Sequence, residues 1–295
     1  MPERQVAVPV VGGTLAAWQQ GPPASTGAPV VLAAHGITGS HVSWAPVQRL
    51  LGDDFTFVAT DLRGRGRSND IAGPFGMAAH SEDQLAVLDH LGTERAVIVG
   101  HSMGAYVMAG FAADHPDRVH GLVLVDGGIS RPVPADVDVQ SALEAVLGPA
   151  LARLSQTFAS RDEYHEFWRR HPAFGNGDVE DADLVAYADH DLIGDPPAMR
   201  SSVRADAVHA DGADMYSAGD AAKQLTVDTL LLRAPRGLLD EPSPLIAADL
   251  AAEWAASRPD QRAVVEVDDV NHYTIVMGRG AKTVASAISG YGSRP

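Results

Sequence analysis

The sequence predicts an α/β fold, in which a mostly parallel β-sheet carries helices on both faces and is interrupted by a helical insertion. Six apolar runs of strand length recur along the chain, and most of them are separated by segments of helical length. Continuous apolar runs are typical of strands that are buried on both faces, and their alternation with helices indicates a parallel sheet. One interval, 129–224, has helical periodicity but no strand-like run.

The predicted elements follow one another in a regular order. The chain opens with a hairpin over 5–11 and 14–18, whose strands meet at a glycine pair that tolerates the positive φ of a tight turn. The buried strands are expected at 29–36, 55–61, 95–100, 121–128, 229–234 and 263–270. The segment 79–92 is a predicted amphipathic helix, because its apolar residues share one face: Leu85, Val87, Leu88 and Leu91.

Residues 129–224 are predicted to form a helical cap, or lid subdomain, over one edge of the sheet. An unstructured loop of this length is uncommon inside a compact domain. Helical periodicity is clearest in the segments 141–158 and 160–174. The predicted domain organisation is therefore a core made of 1–128 and 225–295, interrupted by this cap.

Composition excludes several classes of function. The formal net charge of -16 disfavours nucleic acid and anionic membranes as partners. The absence of cysteine excludes disulfides, thiolate metal sites and a cysteine nucleophile. The N-terminal residues lack a basic segment followed by a long apolar stretch, and no window approaches the length of a membrane span. We therefore expect a cytoplasmic protein.

The stretch Gly-His-Ser-Met-Gly, 100–104, lies where a predicted strand turns into a predicted helix. Glycines two residues before and two after Ser102 suit a sharp turn, because a Cβ at Gly100 or Gly104 would collide with the neighbouring strand or helix. Such a turn exposes the serine hydroxyl and leaves the Met103 amide free at the helix N-terminus. The pattern predicts that Ser102 is a nucleophile.

A serine nucleophile needs a base, and His272 is the candidate among twelve histidines. It directly follows the last strand-like run and precedes a final helical segment, so it is expected at the same edge of the sheet as Ser102. No histidine pair has the i, i+4 ligand spacing with a supporting carboxylate. No metal site is predicted.

These motifs together resemble the α/β-hydrolase superfamily, specifically its cap-bearing serine esterase and C–C hydrolase branch. The likeness rests on the order of five stretches along the chain: HGITGS (35–40), DLRGRGRS (61–68), GHSMGA (100–105), LVLVDGG (122–128) and NHYTIV (271–276). The resemblance implies that the 61–68 loop is structural. The His-Gly step at the end of a strand lets the chain pass close to the nucleophile, so the amides of Ile37 and Met103 are expected to form an oxyanion hole.

The identity of the acid that orients His272 is left open by the sequence. The family usually carries this aspartate a few residues beyond the strand after the cap, where the present chain has Gly237. Either a longer loop makes Asp240 the acid, or the role has moved to Asp126 at the end of the preceding strand, as in some family members. We place Asp126 ahead, because it needs no loop insertion.

The predicted activity is acyl transfer to water, on an ester or lactone of a small hydrophobic substrate and without a cofactor. His35, Gly36 and Trp168 are the predicted substrate-binding residues, and a homodimer is the candidate assembly. The cap aromatics either wall an apolar pocket or form the core of the cap: Phe158, Tyr164, Phe167, Trp168 and Phe174. The alternatives are a C–C bond hydrolase, a cofactor-free perhydrolase, and a non-catalytic small-molecule receptor with this fold.

Overall fold

The protein is described here from a computed structural model, which describes residues 3–130, 148 and 151–293. The main sheet has eight strands in the order β1-β2-β4-β3-β5-β6-β9-β10. The sheet strands are β1 Arg4–Val10, β2 Gly13–Gln20, β3 Val30–Ala34, β4 Thr56–Thr60, β5 Ala96–His101, β6 Val119–Val125, β9 Thr229–Arg233 and β10 Arg262–Glu266. Strand β2 pairs antiparallel with β1 and β4, and the remaining pairs are parallel.

Helices cover both faces of this sheet. Along β3 the side chains of Val30, Leu32 and Ala34 pack into one hydrophobic core, whereas Val31 and Ala33 pack into a second one on the opposite face. In the described part of the chain the helices are α1 Ala45–Leu51, α2 Met77–Leu91, α3 Met103–Asp114, α4 Arg161–Arg169, α5 Asp181–Asp191, α6 Ala205–Ala218, α7 Ala221–Gln224, α8 Ala248–Ala256, α9 Thr274–Met277 and α10 Ala281–Gly292. The predicted fold class is confirmed.

Strand β10 departs from the expectation that both faces of every strand are buried. It is the edge strand of the sheet, and Val265 is 42% exposed. An apolar run predicts a strand, but burial of its two faces depends on which helices reach it, and coverage is incomplete at this edge.

Between β6 and β9 the structure contains the helices α4, α5, α6 and α7. It also contains a short antiparallel pair of strands of two residues each, β7 Leu192–Ile193 and β8 Arg200–Ser201. The expectation that this interval has no strand is therefore wrong. Most of the predicted helical segment 141–158 lies outside the described residues, although 151–154 are helical. The exact limits of the cap stay a prediction.

Polar contacts join the insertion to the sheet domain. His190 of α5 places Nε2 2.7 Å from Oδ2 of the buried Asp61, and His41 places Nδ1 3.0 Å from the other oxygen of that carboxylate. Ligating atoms of these three residues lie within 4.8 Å of one another. Because the hydrogen bonds already use those ring nitrogens, we interpret the group as a polar link between α5 and the core.

Among the described residues, no helix is both long and apolar enough to span a lipid bilayer.

Candidate active site

Ser102 occupies a tight turn between β5, which ends at His101, and α3, which begins at Met103. Its backbone has φ 55° and ψ -121°, a conformation that non-glycine residues rarely adopt. A Cβ at Gly100 would lie 2.2 Å from the Gly104 carbonyl oxygen, and one at Gly104 would lie 2.2 Å from the carbonyl oxygen of Ala34. Both glycines are therefore required for the chain to turn here, as the sequence predicts.

His272 and Asp126 form a hydrogen-bonded pair at the same edge of the sheet. Asp126 directly follows β6, and its Oδ2 lies 2.7 Å from Nδ1 of His272. The other carboxylate oxygen accepts a hydrogen bond of 3.1 Å from the Ala234 amide, which fixes the orientation of the carboxyl group. A carboxylate at Nδ1 keeps the proton on that nitrogen, so the imidazole presents Nε2 as its proton acceptor.

These three side chains face one small cavity. The cavity has a volume of about 50 Å³, and Ser102, His272 and Asp126 all line it. Asp126 and His272 are 1% and 3% exposed, so water competes little for their hydrogen bond. The structure thus brings together a hydroxyl, an imidazole and a carboxylate that lie far apart in the sequence.

Asp240, the alternative acid, has other partners. Its Oδ1 accepts hydrogen bonds from Nε of Arg236 at 2.7 Å and from Nδ2 of Asn271 at 3.0 Å. Asn271 in turn accepts hydrogen bonds from the amides of Tyr273 and Thr274. Asp240 therefore supports the turn that carries His272, whereas Asp126 contacts the imidazole itself.

The loop after β3 passes beside the serine. A Cβ at Gly36 would lie 3.2 Å from the Ser102 Cβ and 3.6 Å from its Oγ, and both Gly36 and Ile37 line the cavity. Met103 is the first residue of α3, so its amide is among those without an intrahelical partner. Of the two residues predicted for the oxyanion hole, Met103 directly follows Ser102 in the chain, and Ile37 follows Gly36, which lies beside the serine.

A family model described as the alpha/beta hydrolase fold matches residues 29–274. The chain belongs to the α/β-hydrolase family. A putative carbamate hydrolase, RutD, of Caulobacter sp. strain K31 is 43% identical over 115 residues, which cover 39% of this chain and 42% of that relative. A fluoroacetate dehalogenase from a Burkholderia species is 36% identical over 103 residues, covering 33% of this chain and 34% of its own. The chain matches about two fifths of the length of the first of these curated relatives.

Solved structures resemble this α/β-hydrolase over nearly its whole length. The crystal structure of E-2-(acetamidomethylene)succinate hydrolase has a TM-score of 0.74 at 22% identity and covers 98% of this chain and 99% of its own. The thioesterase domain from the curacin biosynthetic pathway has a TM-score of 0.76 at 19% identity, with 98% and 100% coverage. At these identities the likeness concerns the fold.

His35 is a structural residue of this α/β-hydrolase, which corrects the prediction that it binds substrate. It is fully buried and is not part of the cavity wall. Its Nε2 accepts a hydrogen bond of 2.9 Å from the Leu62 amide, and its Nδ1 lies 2.7 Å from the Gly36 carbonyl oxygen. Burial lowers the pKa of His35 to about 3, so the imidazole is neutral and both nitrogens serve the fold.

This burial predicts a loss of stability in mild acid. An unfolded histidine takes up a proton near pH 6.5, whereas folded His35 stays neutral to about pH 3, so its contribution is present above pH 6.5 and is lost as the pH falls. Between about pH 7.5 and pH 5 the wild type should lose about 2 kcal/mol more unfolding free energy than His35→Gln, whose amide oxygen can replace Nε2 as acceptor. Urea titrations at both pH values measure this difference, and equal losses would contradict it.

His101, next to the serine, holds the histidine loop. Its Nε2 donates a hydrogen bond of 2.8 Å to the carbonyl oxygen of His272. Burial, together with the nearby His272, lowers the pKa of His101 well below its usual value, so this ring is neutral. The motif alone does not predict this role of His101, because a histidine in that position does not reveal its hydrogen-bond partner.

A second, larger cavity of about 530 Å³ adjoins the first, and Thr38, Leu238 and Tyr273 belong to the walls of both. Trp168, predicted to bind substrate, lines this second cavity together with two other cap aromatics, Phe158 and Phe167. The remaining two predicted aromatics, Tyr164 and Phe174, are buried and are not part of either wall. Phe158 and Trp168 are themselves buried in the same hydrophobic cluster as Tyr164 and Phe174, so the cavity wall and the core of the insertion share these aromatic side chains.

A buried arginine, Arg153, also belongs to this wall, and no sequence pattern predicts it. Nη1 of Arg153 donates hydrogen bonds to Asp191 at 2.5 Å, to the Tyr164 hydroxyl at 2.6 Å and to Ser201 at 3.0 Å. Its guanidinium also lies 5.1 Å from the centre of the Trp168 ring. Arg153 therefore joins α4, α5 and β8 of the insertion beside this cavity.

Proposed function

We propose that the protein is a serine hydrolase that cleaves an ester or lactone of a small hydrophobic substrate through an acyl-enzyme. The observation that carries the proposal is the 2.7 Å contact between His272 Nδ1 and Asp126 Oδ2, with Ser102 on the same cavity wall. A hydroxyl at a strand-to-helix turn, an imidazole and a buried carboxylate are the parts of a catalytic triad.

The residues would act in a defined order. Nε2 of His272 removes the proton of the Ser102 hydroxyl while Oγ attacks the substrate carbonyl, and Asp126 stabilises the imidazolium that forms. The amides of Ile37 and Met103 donate to the oxyanion. The imidazolium then protonates the departing alcohol oxygen. Water, deprotonated by His272, attacks the acyl-enzyme and releases the carboxylic acid and free Ser102.

The sizes of the two cavities suit a hydrophobic substrate with one small and one large substituent. The cavity at Ser102, of about 50 Å³, accommodates the reacting carbonyl and a small group, whereas the adjoining 530 Å³ accommodates a larger apolar group against Phe158, Phe167 and Trp168. His171 also lines the larger cavity, and burial and the charge of Arg153 lower its pKa to about 4, so it adds no positive charge at neutral pH.

A carbamate is a second candidate substrate. The Caulobacter relatives are named putative carbamate hydrolases, and the one from strain K31 is 43% identical in the aligned region. A carbamate carbonyl requires the same nucleophile, base and oxyanion donors as an ester.

The proposal is tested with p-nitrophenyl esters of increasing acyl length, supplemented by lactones, aryl carbamates and dienoate diketones. We expect ester turnover with an initial burst of nitrophenol, and a mass increase on the peptide containing Ser102 after reaction with a fluorophosphonate. Cleavage of the diketones alone would instead indicate a C–C hydrolase. Absence of both turnover and labelling would favour the receptor.

A further inference from the structure

Arg65 contacts both residues whose amides are proposed as oxyanion donors, Ile37 and Met103. Its Nε donates a hydrogen bond of 2.9 Å to the carbonyl oxygen of Ile37, and its Nη2 lies 4.0 Å from Sδ of Met103. The Arg65 side chain is completely buried. We infer that Arg65 is a positioning residue for the oxyanion hole, held in place by Asp211 of the inserted helix α6; this inference rests on the proposed function.

The opposite end of the guanidinium is anchored by the insertion. Nη1 of Arg65 donates to Oδ2 of Asp211 at 2.5 Å and to the Arg63 carbonyl oxygen at 2.9 Å. Asp211, itself completely buried, accepts a further hydrogen bond of 2.7 Å from the Gly76 amide and lies 3.0 Å from Nε2 of His80. Asp211 therefore fixes Arg65 from the cap side while Arg65 holds the loop that contains Ile37.

The charges of Arg65 and Asp211 favour a negative charge at the proposed oxyanion hole. Arg65 contacts Asp211 through Nη1 and the Ile37 carbonyl oxygen through Nε, so the positively charged guanidinium joins the Asp211 carboxylate to the loop that contains Ile37. Burial raises the pKa of Asp211, but the charge of Arg65 and the hydrogen bond with His80 outweigh it and lower this pKa to about 2, so the carboxylate is ionised. Donors that are fixed before the reaction stabilise a developing negative charge most effectively.

This arrangement predicts a specific kinetic effect. Removing Arg65 frees the Ile37 carbonyl, so the adjacent amide is no longer held for the transition state, whereas the cavities that bind the substrate keep their walls. Arg65→Gln should therefore lower kcat on the order of 10- to 100-fold and leave KM within about twofold, since an interaction made mainly in the transition state affects kcat.

Arg63 provides a matched control two residues away. Its Nε donates to Asp83 at 2.7 Å, both side chains are buried, and Nη1 donates to the Pro74 carbonyl oxygen. Among the described residues, the hydrogen bonds of the Arg63 side chain go to Asp83, Pro74 and Val11, and none goes to Ile37 or Met103. Arg63→Gln should lower the melting temperature about as much as Arg65→Gln, but kcat of the folded protein should stay within about threefold of wild type.

The experiment measures kcat, KM and melting temperature for the full-length wild type, Arg65→Gln and Arg63→Gln on the best ester. It also measures inhibition by phenylboronic acid, which forms a tetrahedral adduct with an active serine. We expect the boronate affinity to fall by the same factor as kcat in Arg65→Gln only. Equal kcat losses in both arginine variants, a change in KM alone, or unchanged boronate affinity would overturn the inference.

Two further measurements keep the result interpretable. If Arg65→Gln does not fold, Asp211→Asn preserves side-chain size and removes the charge that anchors Arg65; it should lower kcat and boronate affinity in parallel, and unchanged values would refute the inference. Wild-type turnover and Ser102 labelling are measured first. Their absence would reject the proposed function, whereas normal wild-type activity with an unaffected Arg65→Gln would reject the role of Arg65 alone.

Discussion

Replacing Ser102 with alanine should lower kcat for ester hydrolysis by about 10⁶, since a triad without its nucleophile retains only substrate binding and the oxyanion donors. The fold should persist, because the Ser102 backbone amide still donates to the Val125 carbonyl oxygen at 2.9 Å. Labelling by a fluorophosphonate should disappear. The measurement is steady-state turnover beside a melting curve for each protein.

Ser43 is a suitable control, because it also lines the cavity. Its hydroxyl donates to the Ser40 carbonyl oxygen at 2.8 Å and is therefore already engaged. Ser43→Ala should retain kcat within about tenfold and still react with the fluorophosphonate. If Ser102→Ala kept most of its activity, or if both serine variants lost it equally, the acyl-enzyme mechanism would be wrong.

Asp126→Asn should lower kcat by about 10⁴ while the protein still folds, because the amide cannot stabilise the imidazolium and favours the wrong histidine tautomer. Asparagine is the appropriate substitution. Asp126 has φ 46°, in the left-handed region, and asparagine tolerates that region better than alanine does. The loss should appear in turnover and not in the melting temperature.

Asp240→Asn is the matched comparison, since Asp240 also has a positive φ, of 65°. Its carboxylate supports Arg236 and Asn271, so we expect a loss of unfolding free energy of about 0.5 to 2 kcal/mol and kcat within about tenfold of wild type. The reverse outcome, with Asp240→Asn inactive and Asp126→Asn active, would transfer the acid role to the later loop. Full activity in both would leave a Ser-His dyad.

The main sheet could be predicted because its strands are fixed by local sequence. Apolar runs bounded by polar or glycine residues appear as strands within a few residues of the expected limits, and the edge strand β10 differs in ending at Glu266 and in exposing residues such as Val265. The turn at Ser102 could be predicted for the same reason. Gly100 and Gly104 are required by contacts with their immediate neighbours, and such contacts leave a clear sequence pattern.

The partners of charged and polar side chains could not be predicted in the same way. Sequence spacing does not state whether the Asp126 or the Asp240 carboxylate reaches His272, because that depends on the course of the loop after β9. His35 was predicted to bind substrate because it precedes a glycine at the end of a strand, but its Nε2 accepts a hydrogen bond from the Leu62 amide. The resemblance implies a structural loop around Arg65 but does not identify Asp211 as its partner, and no sequence pattern pairs Arg153 with Asp191; both ion pairs depend on tertiary contacts.

The position of Asp126 has an evolutionary consequence. In the proposed enzyme Ser102 and Asp126 directly follow β5 and β6, His272 lies in the loop after β10, and the loop after β9 carries none of the three. That loop nevertheless contributes Leu238, Leu245 and Ile246 to the cavity wall. Gly237 and Asp240 of the same loop hold the histidine turn, through the His272 amide and the Asn271 side chain. Selection for a new substrate can therefore change the side chains that face the cavity without replacing a catalytic group, whereas the part of the loop that supports His272 is constrained, so related enzymes with this arrangement should diverge fastest at the cavity-facing positions.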